Sequence, residues 1–232
     1  MGYGQMPAKQ VNSVALKTEV YGGISLHTSG WGANLNYTKF QTNKIKRMFV
    51  LDMVSMKHSK EIKIQGYVDQ NSKDFVFGKL NGFFVTRIGY GKKYVAYEKA
   101  REKGVNIFWH WNVGPSLGFL KPVYLDVVNL TPSGRISTPL QEPYNPEKHN
   151  LGNIYGRSKG IRGLASTKVI PGGFFKIGAE FEYNDDREFI RALAFGATVD
   201  VYPKKIEIMA FAENTFIYPS LYINVVIGKR YF

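Results

Sequence analysis

The chain has 232 residues, a net charge of +13 from 31 Lys and Arg against 18 Asp and Glu, and no Cys. The length fits one large or two small domains, and the missing Cys excludes a disulfide framework and a thiolate metal centre. Aromatic residues make up 15% of the chain, too many for a disordered tail, and no stretch approaches the roughly 18 consecutive apolar residues of a spanning helix.

Residues 1–12 lack the apolar segment of a secretory signal and are expected to form an N-terminal extension. From residue 13 onward the dominant pattern is period-two alternation, which predicts strands. In 13–27, Val20, Ile24 and Leu26 share one face, and Lys17, Glu19, Tyr21, Ser25 and His27 the other. In 31–40, Trp31, Ala33, Leu35 and Tyr37 oppose Asn34, Asn36 and Thr38. In 47–57, Phe49, Leu51 and Met53 oppose Asp52. A fourth run, 74–90, sets Leu80, Phe84 and Ile88 against Lys79, Asn81 and Arg87, and a charged turn with a helical segment is expected over 91–103.

The fifth run, 104–120, opposes Ile107, Trp109, Trp111 and Val113 to Asn106, His110, Asn112 and Ser116. The segment 121–166 contains five prolines and reads as a long loop, a length that calls for a functional explanation. Alternation returns in 167–183, where Phe175, Ile177, Ala179 and Phe181 oppose Lys176, Glu180 and Glu182. It continues in 188–202 and in 215–232, which present Leu193, Phe195 and Val199, then Leu221, Ile223, Val225 and Ile227.

Eight long strands in sequence order predict an all-β fold, an eight-stranded antiparallel up-and-down transmembrane β-barrel, with 13–232 as one barrel domain. Several runs exceed ten residues, the length of a tilted membrane-crossing strand. The polar faces collect Lys17, Lys79, Arg87 and Lys176 with Glu19, Asp52, Glu180 and Glu182, which predicts a polar, charge-paired lumen inside an apolar wall. Trp31, Tyr37, Trp109, Trp111, Tyr183, Tyr202, Tyr218 and Tyr231 lie mostly near run ends, as interfacial girdles require. The remaining positive charge, including Lys44, Lys46, Arg47, Lys92, Lys93, Lys204, Lys205, Lys229 and Arg230, is assigned to turns and ends. There, contact with anionic lipid or lipopolysaccharide phosphates accounts for it without nucleic acid.

The stretches GPSLGFLKPVYL (114–125) and NPEKHNLGNIYGR (145–157), with the terminal GKRYF, resemble a Bacteroidota-type family of small integral outer-membrane β-barrels. A terminal Phe on an amphipathic last strand is similar to the insertion signal of bacterial outer-membrane barrels. The resemblance implies residence in the outer membrane and kinship with barrels beside assembly or secretion machinery. It implies no chemistry.

Candidate chemistry is sparse. His27 and Ser29 stand in an H-x-S spacing that resembles the His/Ser pair of outer-membrane lipid A deacylases, an enzymatic alternative. A soluble lipocalin-like ligand-binding barrel is the other alternative, since Gly30-Trp31 is similar to part of that family's signature. The four His residues have no metal-ligand spacing, and no cofactor is expected. The leading expectation is a non-enzymatic structural or accessory envelope subunit. It would contact protein through loop 121–166, with Tyr124, Tyr144 and Tyr155 as anchors, or through turn 91–103.

Overall fold

A computed structural model describes residues 18–42, 44–65, 73–98, 104–128, 137–183 and 188–231. In chain order the strands are β1 (Thr18–His27), β2 (Gly30–Thr42), β3 (Ile45–Met56), β4 (Lys63–Ile64), β5 (Phe75–Val76), β6 (Asn81–Tyr97), β7 (Asn106–Pro122), β8 (Tyr124–Val127), β9 (Leu140–Pro143), β10 (Ile154–Arg157), β11 (Lys168–Glu182), β12 (Phe189–Val201) and β13 (Ile217–Tyr231). The long strands close into one antiparallel barrel, β1-β2-β3-β6-β7-β11-β12-β13, with β13 pairing back onto β1. Each barrel strand neighbours the preceding and following one in sequence, so the barrel is up-and-down. Closure removes both sheet edges and satisfies the wall's ladder hydrogen bonds internally.

The alternation read from the sequence becomes the two faces of this wall. Ile24, Leu35, Leu51, Ile88, Leu193, Val225 and Ile227 point outward, with Ile24 and Ile227 each 67% exposed. Glu19, Asp52, Arg87, Lys176, Glu180 and Glu182 point inward and are almost fully buried. The distribution is the reverse of a water-soluble barrel, whose interior is apolar and whose exterior carries the charge.

The connections at one end, 43–44, 98–105 and 183–188, are short. The described chain ends, Thr18 and Tyr231, are paired at this same end. At the other end the longer connections build a cap. There β8, β9 and β10 form a three-stranded sheet, and β4 pairs with β5. The cap has its own small core of Phe75, Leu125, Val127, Tyr144 and Ile154. The segment between β12 and β13 folds into the barrel mouth. Its Ile206 and Ile208 are wholly buried against Val54, Met56, Phe83, Val85, Leu120 and Ile170 of the wall. Asn214 holds this plug by accepting from the Ile208 and Met209 amides at 3.0 and 3.2 Å and donating to the Met209 carbonyl at 2.8 Å.

Several expectations are corrected. The segment 121–166 is not a plain loop: Lys121 and Pro122 complete β7, and three short strands follow. The turn expected over 91–103 is mostly strand, because β6 continues to Tyr97; residues 99–103 lie outside those described. The fourth run begins later than its alternation suggested. Gly78, with φ of 79°, turns the chain after β5, and the barrel strand starts only at Asn81. Tyr202 and Tyr218 are not girdle residues. They are buried in the plug, packed edge-on at 6.1 Å between ring centroids.

Candidate functional site

Two features stand out from the apolar wall: the charged lumen and the cap. In the lumen, Glu19, Asp52, Glu180, Glu182 and Asp200 face Lys46, Arg87, Lys93, Lys176 and Arg230, five acids against five bases. They form two networks. Nearer the short-turn end, the Glu19 carboxylate accepts from Lys46 Nζ at 2.6 Å, Arg230 Nε at 2.7 Å and Thr38 Oγ1 at 2.8 Å. Arg230 also donates to Glu182, and Lys93 Nζ donates to Glu180 at 2.6 Å. The two ammonium groups flank the Phe108 ring, Lys93 at 4.4 Å and Lys46 at 4.7 Å from its centroid, and so gain a cation–π contact on desolvated ground.

Nearer the cap, Arg87 binds Asp200 in a two-pronged pair at 2.8 and 2.7 Å, while Lys176 donates to Asp52 at 2.8 Å. His110 and the Tyr222 hydroxyl are 3.0 Å apart beside them. A Cβ on Gly178 would collide with that hydroxyl, so the wall needs glycine there for Tyr222 to lie across the lumen. An eight-stranded barrel encloses only enough room for its own side chains. Here that room is filled by paired charges together with an inward-facing apolar cluster of Tyr21, Met48, Val50, Ile190, Ala192 and Val226, and it is sealed at the mouth by the Ile206–Ile208 plug.

The residues foreseen from sequence separate into three groups. Glu19, Asp52, Arg87, Lys176, Glu180 and Glu182 meet in the lumen. Lys79 does not: it leaves the barrel at the Gly78 turn and pairs with Glu61 at 2.5 Å under the cap. Lys17 lies outside the described residues. Lys46, Lys93 and Arg230, assigned from sequence to turns and ends, are lumen bases, and Asp200 is an additional lumen acid. Their signal was present. Lys46 shares parity with Met48, Val50 and Asp52; Lys93 with Arg87; Arg230 with Tyr222 and Asn224. Each sits at a strand end that composition alone marks as a turn.

His27 ends β1 and Ser29 lies in the following turn. Among the described residues, no hydrogen bond joins the His27 ring to Ser29 or to a carboxylate. The backbone carbonyl of Ser29 accepts from the Lys57 amide at 2.7 Å. A serine nucleophile needs a base in reach and an acid to orient that base; this arrangement supplies neither contact.

On the cap, Tyr144 is buried, with its ring 6.2 Å from Phe77 and 5.9 Å from His149. It therefore builds the cap core and is withdrawn from the surface. Burial pushes its phenol up from the ordinary value. Tyr124 and Tyr155 are half-buried. Among the described residues, the exposed large apolar side chains of the cap include Ile62, Leu140, Leu151, Ile161, Leu164 and Phe211. Ile161 is flanked by Lys159 and Arg162 in an exposed turn.

No family model and no curated protein matches this chain. Among solved structures, the chain is similar to Ail, the attachment invasion locus protein of Yersinia pestis, in complex with the heparin analogue sucrose octasulfate. That match has 10% identity and a TM-score of 0.44, over 94% of this chain and 100% of that one. It is also similar to Neisserial surface protein A, with 8% identity and a TM-score of 0.44, over 93% of this chain and 97% of that one. At such identities no residue role carries across.

Proposed function

We propose that this protein is an integral β-barrel of a bacterial outer membrane. It would act without chemistry of its own, as a structural or accessory subunit of the envelope that presents its cap to a partner. The observation that carries the membrane reading is the inside-out wall. Large apolar side chains cover the outside of a closed sheet, and ten acidic and basic side chains are sequestered within it. In water such a wall would expose a continuous apolar band far larger than a soluble monomer tolerates. In hydrocarbon the same wall is the favourable arrangement, because a closed sheet leaves no backbone group unpaired.

The experiment is extraction and refolding. The protein should require detergent or lipid, and it should show heat-modifiable migration once folded in phosphatidylcholine vesicles. A monodisperse monomer in detergent-free buffer sinks the reading.

The interaction role rests on the cap, where an ordered small core supports exposed Leu140, Ile161, Leu164 and Phe211 among basic side chains. Membrane-tethered cross-linking with Ile161→Asp and Leu164→Asp tests it. Loss of a defined envelope cross-link with unchanged heat-modifiable folding is expected. A cross-link that survives both substitutions removes the cap from this role.

A further inference from the structure

The outward-facing positions of the barrel strands are charged with one sign only. Among the described residues they carry Lys39, Arg47, Lys92, Lys121, Arg191 and Lys229 and no carboxylate. Three of these form a row. Lys39 of β2 pairs in register with Arg47 of β3, which pairs in register with Lys92 of β6. Directly opposed residues in an antiparallel sheet lie about 5 Å apart, and like charges placed so are destabilising. Among the described residues no acid offsets the row. None of the ion pairs among the described residues involves Lys39, Arg47 or Lys92. Arg47 Nε donates to Gln41 Oε1 at 3.3 Å, between two exposed side chains.

The rows above it give the position. One step toward the cap, Tyr37, Phe49 and Tyr90 stand in the same register, with ring centroids 6.3 and 5.2 Å apart. A further step brings Leu35, Leu51 and Ile88. Trp111, the register partner of Lys92, borders the row on β7. Toward the short-turn end, this wall therefore passes from aliphatic to aromatic to basic in successive rows. That is the order of acyl chain, interface and phosphate across one leaflet. Long basic side chains reach from such a position to phosphate oxygens while their stems stay on the apolar wall, and a guanidinium between two ammonium groups offers forked donors to them.

We propose that the Lys39–Arg47–Lys92 row is a binding site for the phosphate of an anionic glycerophospholipid in the leaflet at the short-turn end of the barrel. The assignment rests on the outer-membrane reading above, in which short turns are periplasmic. The bound headgroup cancels the repulsion that the row otherwise carries and fixes the barrel's depth on one side.

The test is native mass spectrometry of the folded protein exchanged into micelles with equal amounts of phosphatidylglycerol and phosphatidylcholine. The wild type should retain phosphatidylglycerol in preference, and Arg47→Gln should weaken that preference about five-fold. The triple variant Lys39→Gln, Arg47→Gln, Lys92→Gln should abolish it while keeping heat-modifiable folding. The control Lys229→Gln, Arg191→Gln, on another part of the wall, should keep it. Equal retention of the two lipids by the wild type, or a preference that survives the triple variant, overturns the proposal. Displacement of the lipid by excess inorganic phosphate would assign the row to a free anion, and preferential retention of purified lipid A would assign it to another lipid; either result also overturns it. A wild type that inserts into phosphatidylcholine vesicles but shows no anionic preference sinks this inference alone. Failure to insert sinks the outer-membrane reading itself.

Discussion

The lumen and the cap are packed by opposite rules in one chain. In the barrel's interior, side chains far apart in sequence meet as ion pairs: Arg87 with Asp200 across the lumen, and Glu19 with Arg230 on the neighbouring strand that closes the barrel. In the cap and its plug the buried groups are apolar, led by Ile154, Ile206 and Ile208. The wall explains the difference. The middle of its outer face is apolar, and outward charges are confined to positions toward the strand ends, so the acids and the remaining bases of the strands lie inward, where they are tolerable only in balanced sets. The cap stands beyond the wall and buries its apolar residues in the ordinary way, leaving most of its charges on the surface, with the Lys79–Glu61 pair partly buried beneath it.

The sharpest way to break this contrast is to unbalance the lumen. Glu19→Ala leaves Lys46 and Arg230 facing each other without their shared carboxylate. Breaking a buried pair costs about 3–5 kcal/mol, read as a shift in the urea midpoint of barrel folding in vesicles. Replacing Glu19 together with both bases by apolar residues of similar volume should recover most of that loss. If the single and the combined replacements cost the same, the lumen is not held by charge balance.

The plug should respond as an ordinary apolar core. Ile208→Ala removes packing from a fully buried site, with an expected cost of about 2–5 kcal/mol. The loss should stay local. Protease should cut the segment between β12 and β13 while the barrel keeps its heat-modifiable migration. A variant that loses the barrel as well would make plug and wall one cooperative unit.

The wall's outer face separates the two regions by solvent. Val225 is 55% exposed at mid-strand, and Val225→Arg should cost about 2–4 kcal/mol in a bilayer if it lies near the midplane. The smallest effect belongs to the cap surface. Leu140 is about as exposed, at 57%, yet Leu140→Arg should change stability by less than about 0.5 kcal/mol because it already meets water. Equal costs at the two sites, measured by the same refolding titration, would remove the distinction between a lipid-facing wall and a wet cap.

Much of the wall was legible, for a specific reason. A strand buried on one side and solvated differently on the other must alternate, so parity assigned Glu19, Asp52, Arg87, Lys176, Glu180 and Glu182 to one face without any tertiary knowledge. The errors fall at strand ends. Lys46, Lys93 and Arg230 sit in charged, turn-like composition, and only the closed ladder shows that β3, β6 and β13 reach them. Lys79 erred in the other direction, since one positive-φ glycine took it off the strand. The cap was not legible at all. Strands of two to four residues, such as β4 and β8, are too short to display a period.

By itself the sequence determined the alternation, the number of long strands and the acids that must share a face, because these follow from each strand's own periodicity. Which base each acid met was decided only by the tertiary structure. Arg87 and Asp200 are 113 residues apart in the chain. Their pairing across the lumen exists because closure brings β6 and β12 to face one another across a narrow lumen. There an unpaired charge would be intolerable, and the geometry of the closed barrel selects the partner.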